Sequence, residues 1–478
     1  TNGRGRLRPL ASMLFVPHVA LAAMLLGASP LGTTKLHGAR RAGPVVNQGY
    51  TSEEEYHAAL SGKAGLPEGF RVGTTGFEFS PVEAAAGTKA KMNITVIVAD
   101  KPSYSWAAVL TRNSFCGAPI KIGRERIEAG APLQAMIINN KISNVCSGRD
   151  GVADSESLCE AVAAALELPG GGKSVIPAST GVIGWSLPVG PMTVAIPSAL
   201  AALQRDTMLP AARAIMTTDR YPKLRRAEVC GGTIVGIAKG AGMIEPNMAT
   251  MLCFILTDID VPKAELQKML SSSADETFNC MSIDGDQSTS DTVVVLSSQM
   301  KPLPSGDAAL KEFAAGLRAV CADLAADITR NGEGTAHVMR IAVKGSPTFD
   351  LARGVGKAVV NSPLVKTAIA GNDPNVGRIV GAVGSYLGKV SPDLDLSKCT
   401  MNIGGEEVFA AGAFSLSPEM ETSLSAHIRS AQQESVHYPV HDGYVEVEID
   451  LGVGTEACTV LGSDLTREYV DVNADYRS

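Results

Sequence analysis

From Leu66 onward, short β-branched apolar runs alternate with Ala-rich segments of helical period, and no other feature restricts the fold as strongly. "ITVIVAD" (94 to 100) and "LQAMIINN" (133 to 140) read as buried strands. "ESLCEAVAAALEL" (156 to 168) reads as a helix stopped by Pro169 and the glycines after it, and 197 to 216 as helical with a break at Pro210. The second half repeats the pattern: strand 251 to 260, helix 263 to 278, strand 292 to 298, helix 307 to 330, strand 337 to 345. Such mixing predicts an α/β fold with mixed layered sheets flanked by helices, rather than a bundle or an all-β sandwich. The order of the strands is not legible.

With 478 residues the chain exceeds the about 250 to 300 at which single cores stop growing, so two lobes are expected. A formal net charge of -7 supplies no basic footprint for a phosphate backbone, which turns attention from nucleic acid to small molecules. Nine scattered cysteines without a CxxC predict mostly buried thiols in a reducing compartment, and no zinc site.

Up to Tyr50 the chain carries Arg4, Arg6, Arg8, Lys35, Arg40 and Arg41 but no acid. "VALAAMLLGAS" follows the basic start, too short to span a bilayer and flanked by Pro17 and Pro30. A basic, hydroxyl-bearing stretch comes next, so residues 1 to 65 read as a targeting leader and linker. Import into an organelle is expected, either a plastid reached through the secretory system or a plain chloroplast or mitochondrial matrix route. Secretion fits poorly with unpatterned cysteines, and no membrane segment is expected in the mature form.

Two glycine-rich stretches are decoys. "GGGKS" (170 to 174) lacks the first glycine of a phosphate loop, having Glu167 there, and reads as a helix stop. "GVGTEA" (452 to 457) leaves no room for a dinucleotide-binding βαβ unit. His337, His427, His437 and His441 form no metal or triad pattern, and no GxSxG elbow occurs.

A nucleophile without histidine needs another base, and an N-terminal threonine carries one in its own α-amine, whose pKa of about 7.7 to 8.0 lies near working pH. In "KGAGMIEPNMATMLCFILTDID" (239 to 260), Gly240, Gly242, Pro246 and Asn247 permit a tight backbone path. Ala249 adds no bulk beside its carbonyl, and the Thr250 hydroxyl can attack it, with the strand behind holding Thr250 still. The competing reading is a loop entering a strand with a threonine that merely favours strands.

The stretch "IAKGAGMIEPNMATML" (237 to 252) resembles the cleavage and nucleophile motif of the glutamate N-acetyltransferase, or ornithine acetyltransferase, family of arginine biosynthesis. Further blocks resemble it in order: "LPEGFRVG" (66 to 73), "PASTGVIG" (177 to 184), "AIMTTDRYPK" (214 to 223), "SIDGDQSTSDT" (282 to 292), "NGEGTAH" (331 to 337), "NSPLVKTAIAGNDPNVGRIVGAVG" (361 to 384) and "GSDLTREYVDVNADYRS" (462 to 478).

The resemblance implies autocatalytic cleavage between Ala249 and Thr250, giving an α chain (66 to 249) and a β chain (250 to 478) that stay together as an α2β2 heterotetramer. It implies the architecture shared with self-processing aminopeptidases. Thr250 would take acetyl from N-acetylornithine and pass it to glutamate, with Thr180 and Gly181 as the oxyanion pair. Thr217, Lys239, Thr250, Glu333, Asn473 and Ser478 fall on substrate-binding positions; Lys239 could pair a carboxylate and Glu333 a cationic amine. Neither metal nor bound cofactor is implied, and acetyl-CoA is a candidate co-substrate that would make the enzyme bifunctional.

The chain departs from the family pattern in places. "INNKISNVCSG" (138 to 148) stands where "NSGNANACTG" is usual, Val376 where tryptophan, Ser463 where cysteine, and Arg477 where a hydroxyl residue is usual. These changes bear on affinity and acceptor preference more than on reaction type. The rival readings are a self-cleaving aminopeptidase or amidase that passes the acyl group to water, an inactive ligand-binding paralogue, and an uncut structural protein.

Overall fold

The computed structural model describes residues 49 to 245 and 251 to 474. Instead of two lobes, Asn47–Ser478 is one compact unit. The reason is visible in the sheets, which recruit strands from distant parts of the chain.

One sheet has four strands in the order Phe70–Phe79, Ala90–Ser103, Leu133–Asn139, Val175–Ser179. A second has five, in the order Trp106–Leu110, Thr292–Pro302, Leu252–Asp260, Gly232–Lys239, Lys223–Val229. The two stack face to face. Alternate side chains of each strand feed different cores, as the period of two requires. Phe254 and Leu256 meet Ile97, Met136 and Ile176 between the sheets. Cys253 and Ile255 point the other way, onto Leu266, Leu270, Leu317 and Leu324 of helices Lys263–Glu276 and Asp307–Arg330. Ile94, Val96 and Val98 likewise turn outward onto Leu158 and Val162 of helix Gly151–Ala165 and Met192 and Ile196 of helix Val189–Ala201. The result is a helix–sheet–sheet–helix stack, and burial on both faces explains why these strands read as unbroken apolar runs.

A third sheet of seven strands, centred on Val338–Ser346 and Val445–Asp450, carries its own core against helices Phe349–Val360, Val376–Val390 and Pro418–Ser430. The sheets are mixed, with parallel and antiparallel pairs in each. No helix among the described residues is long and apolar enough to cross a membrane.

Two local expectations are corrected. The stretch read as linker up to residue 65 contains helix Glu53–Ser61, capped by Ser52, whose Tyr56 and Leu60 are buried in the inter-sheet core. Residues 197 to 216 do not form one helix interrupted at Pro210. The first helix ends at Ala201, and Pro210 opens a short second one, Leu209–Ala214, where its missing N–H costs nothing. "GGGKS" is a single turn whose Lys173 ammonium pairs with Glu125 and Glu156.

Candidate active site

Several strand ends converge at one edge of the stack. Lys239 ends its strand opposite Leu252, the first residue of the next, and Leu252 pairs in turn with Thr292. Strand Val175–Ser179 ends just before Thr180. Around these ends lies a cavity of about 960 Å³, lined among others by Thr180, Gly181, Thr217, Lys239, Met251, Asp291, Glu333 and Asn473. Six residues singled out from the sequence thus meet in one place although they lie up to 293 positions apart, from Thr180 to Asn473. Ala249, Thr250 and Ser478 lie outside the described residues, as does the 1 to 48 part of the leader. Met251, directly after Thr250, lines the cavity, and its carbonyl accepts from Thr292 N–H at 2.8 Å.

The Thr180–Gly181 corner is built by the block that departs from the family pattern. Thr180 N–H donates to Asn139 C=O at 3.1 Å, and Val182 N–H to Lys141 C=O at 2.8 Å. The Asn139 side chain accepts from Ser179 Oγ and donates to Ile142 C=O, while Ser143 Oγ donates to Val182 C=O. Asn140 Nδ2 reaches the carbonyls of Ala214 and Met216, tying the corner to the Thr217 segment. Asn139, which fits the usual pattern, is thus joined by the altered Asn140 and Ser143 in holding the corner. Gly181 has φ +125°, and a Cβ there would lie 2.2 Å from the Lys141 carbonyl, so the corner accepts only glycine. Among the described residues its N–H has no hydrogen-bond partner.

Lys239 is buried and donates from Nζ to Thr180 Oγ1 at 3.0 Å. Burial pushes its ammonium below the ordinary lysine value, the nearby Lys223 charge adds to this, and Asp219 opposes it. Asp219 is the hub beneath. It takes a salt bridge from Lys223 and accepts from Gly240 N–H at 2.8 Å and Thr217 N–H at 3.0 Å. Burial by itself would raise this carboxyl, but the Lys223 and Lys239 ammoniums and the Gly240 N–H hold it down at about 2. Lys223 also donates to Asn331 Oδ1 at 2.9 Å, two residues before Glu333.

Glu333 follows helix Asp307–Arg330, and its N–H donates to Ala241 C=O at 2.8 Å. Its carboxylate accepts from Asn473 Nδ2 at 2.9 Å, on the exposed helix Arg467–Ala474. A Cβ on Gly242 would come 2.2 Å from Glu333 Oε2, so glycine is what lets that carboxylate lie against the 240 to 243 turn. Asp284 fixes the same turn, accepting from Met243 N–H and Ile244 N–H. Glu245 is held by Asn361 Nδ2 at 2.7 Å and Lys357 Nζ at 3.4 Å. The segment that carries Thr250 therefore leaves from one fixed end and arrives at another.

Among the described residues, no group of three or more His, Cys, Asp or Glu could hold a metal ion. Of the other departures, Ser463 Oγ donates to Ile283 C=O beside the buried Lys366 ammonium, and Val376 is buried at the start of its helix. Sequence reasoning missed Asp219 and Lys223, although the spacing of an acid and a lysine four apart inside "AIMTTDRYPK" was the available signal.

The ArgJ family model matches residues 81 to 478. The chain is 41% identical over 381 residues to the arginine biosynthesis bifunctional protein ArgJ of Methylococcus capsulatus, covering 78% of this chain and 88% of that one. It is 40% identical over 391 residues to the glutamate N-acetyltransferase of Methanosarcina mazei, covering 81% of this chain and 94% of that one. Among solved structures, ArgJ of Bacillus halodurans is similar at 32% identity and a TM-score of 0.41, covering 47% of this chain and 99% of that one.

Proposed function

The chain belongs to the ArgJ family and is an acetyltransferase of arginine biosynthesis, and we propose that it cuts itself before Thr250 and moves acetyl from N2-acetyl-L-ornithine to L-glutamate through an acetyl-Thr250 intermediate. The observation that carries this reading is the meeting of Thr180, Gly181, Thr217, Lys239, Glu333 and Asn473 in one cavity beside Met251.

In this mechanism the free α-amine of Thr250 takes the proton of its own hydroxyl, and Oγ attacks the acetyl carbonyl. The oxyanion that forms is met by the Gly181 N–H and the Thr180 hydroxyl. An ammonium has donors only, so Lys239 obliges Thr180 Oγ1 to accept and leaves the hydroxyl hydrogen for the oxyanion. Ornithine departs with the proton, and the glutamate amine attacks the acetyl-threonine in the reverse sense. Glu333 suits the cationic end of ornithine, and Lys239 a carboxylate.

The same reading extends to assembly. Cutting before Thr250 would separate strands Gly232–Lys239 and Leu252–Asp260, which are hydrogen-bonded neighbours sharing two cores, so the halves would stay together. We assign residues 66 to 249, with the helix Glu53–Ser61 that packs on them, and 250 to 478 to these halves and propose an α2β2 assembly, with acetyl-CoA as a second acetyl donor and no resident metal or cofactor. The leader would direct import to a plastid or the mitochondrial matrix, its composition being the support.

The test is the intact mass of the purified protein beside Thr250→Ala, followed by an acetyl-transfer assay. Two fragments meeting at Ala249 and Thr250 in the parent, one uncut chain in the variant, and ornithine release that requires glutamate are expected. One uncut chain in both would overturn self-processing, and ornithine release without any acceptor would identify an amidase instead.

A further inference from the structure

Outside the cavity, two thiols face each other in the protein interior. Cys280 closes the turn Phe278–Cys280 and leads into the short strand Met281–Ser282. That strand runs parallel to Glu456–Ser463, with Met281 opposite Leu461, and Cys458 lies on the latter. The two Sγ atoms are 3.5 Å apart, at contact distance, and both residues are buried. Closing the gap to a disulfide of about 2.05 Å brings two sulfurs already in contact about 1.5 Å closer. The surroundings suit ionisation of one sulfur. A hydrogen bond from Cys458, with the Arg353 and Lys357 cations, draws the Cys280 thiol below the ordinary value against its burial, and ionising it gives up its bond to Asp275 C=O at 3.3 Å. Access comes from the other side, where Cys458 lines a cleft of about 550 Å³ with Arg318, Lys344 and Asp275.

We infer that Cys280 and Cys458 are a modification site, a dithiol that hydrogen peroxide closes to an intramolecular disulfide. One sulfur of the pair, as thiolate, attacks one peroxide oxygen, the O–O bond breaks, and the departing hydroxide takes a proton as water, leaving a sulfenic acid. The other sulfur then attacks the oxidised one, the S–O bond breaks, and hydroxide again leaves as water. Two thiols lose two electrons, and one peroxide becomes two waters. The crosslink fastens the end of one sheet to the turn that precedes Ser288, Thr289, Ser290 and Asp291, all on the cavity wall.

The full chain, reduced and freed of reductant, is exposed to a small excess of hydrogen peroxide, then denatured, alkylated and mapped by peptide mass. The expected result is a peptide joining Cys280 to Cys458 and two fewer alkylated thiols than the nine of the reduced chain, with all nine restored by dithiothreitol. Cys458→Ser, a conservative change, should give no intramolecular disulfide under the same exposure. Full alkylation after exposure, or disulfides formed through other cysteines while Cys280 and Cys458 stay alkylated, would overturn the inference.

Discussion

Lys239 Nζ lies 3.0 Å from Thr180 Oγ1, so a lysine at the end of a central strand sets the direction in which a loop hydroxyl can donate. Removing the ammonium with Lys239→Met frees Thr180 to turn its hydrogen elsewhere. We expect turnover to fall about 100-fold, the usual size for loss of one oxyanion donor, with folding retained by circular dichroism.

The same contact predicts a pH dependence. Below its lowered pKa Lys239 is charged and donates to Thr180; above it the neutral amine can accept the Thr180 hydrogen and withdraw it from the oxyanion. Turnover should therefore rise as the Thr250 amine loses its proton near about pH 8 and fall again below the ordinary lysine pKa. Lys239→Arg, which stays charged, should lose the alkaline fall while keeping the rise. A parent rate that stays flat to the ordinary lysine pKa would contradict the assignment.

Asp219 holds Lys223, Gly240 N–H and Thr217 N–H together. Asp219→Asn leaves the Lys223 charge buried without its counter-ion, for which about 3 kcal/mol of stability should be lost at neutral pH, read as a lower urea midpoint. The carboxyl's folded pKa, at about 2, is below its unfolded one, so its stabilisation is present above about pH 4 and lost as pH falls toward the folded value. The acid decline between these limits should be weaker in the variant.

Gly242→Ala puts a methyl where the Glu333 carboxylate lies, 2.2 Å from Oε2. The flexible glutamate can swing away, so the protein should fold normally. The KM for acetylornithine should rise about tenfold, an energy of about 1.4 kcal/mol, with a smaller change in kcat. Equal losses in both substrates' KM would point away from Glu333 as the partner of ornithine.

Lys141 has φ +73°, a left-handed conformation that a side chain resists, at the place where the family pattern, aligned on Cys146 and Gly148, has glycine. Lys141→Gly should raise thermal stability by up to ~1 kcal/mol, less the entropy that glycine loses on folding. A lower melting temperature would show that the lysine side chain contributes more at the cavity rim than its backbone strain costs.

Much of this molecule was legible without coordinates. Helix Asp307–Arg330 and strands such as Leu252–Asp260 follow from apolar period and β-branching, which are local properties of a few turns or pleats. The residues now found around the cavity were named from the resemblance of ordered blocks to a known family, since none of them is marked out by a local pattern of its own. The sequence by itself therefore determined the α/β class and most of the long elements. Tertiary structure decided the rest: which of two alternating faces of Cys253 to Leu256 meets which core, that residues on both sides of position 250 share one sheet, and that Asp219 and Lys223 become a buried hub. Several of these outcomes depend on partners far along the chain, as when Lys223 reaches Asn331, and no local pattern carries the identity of such a partner. Burial then makes each distant pairing matter, because a charge removed from water must find its counter-charge wherever the fold brings one.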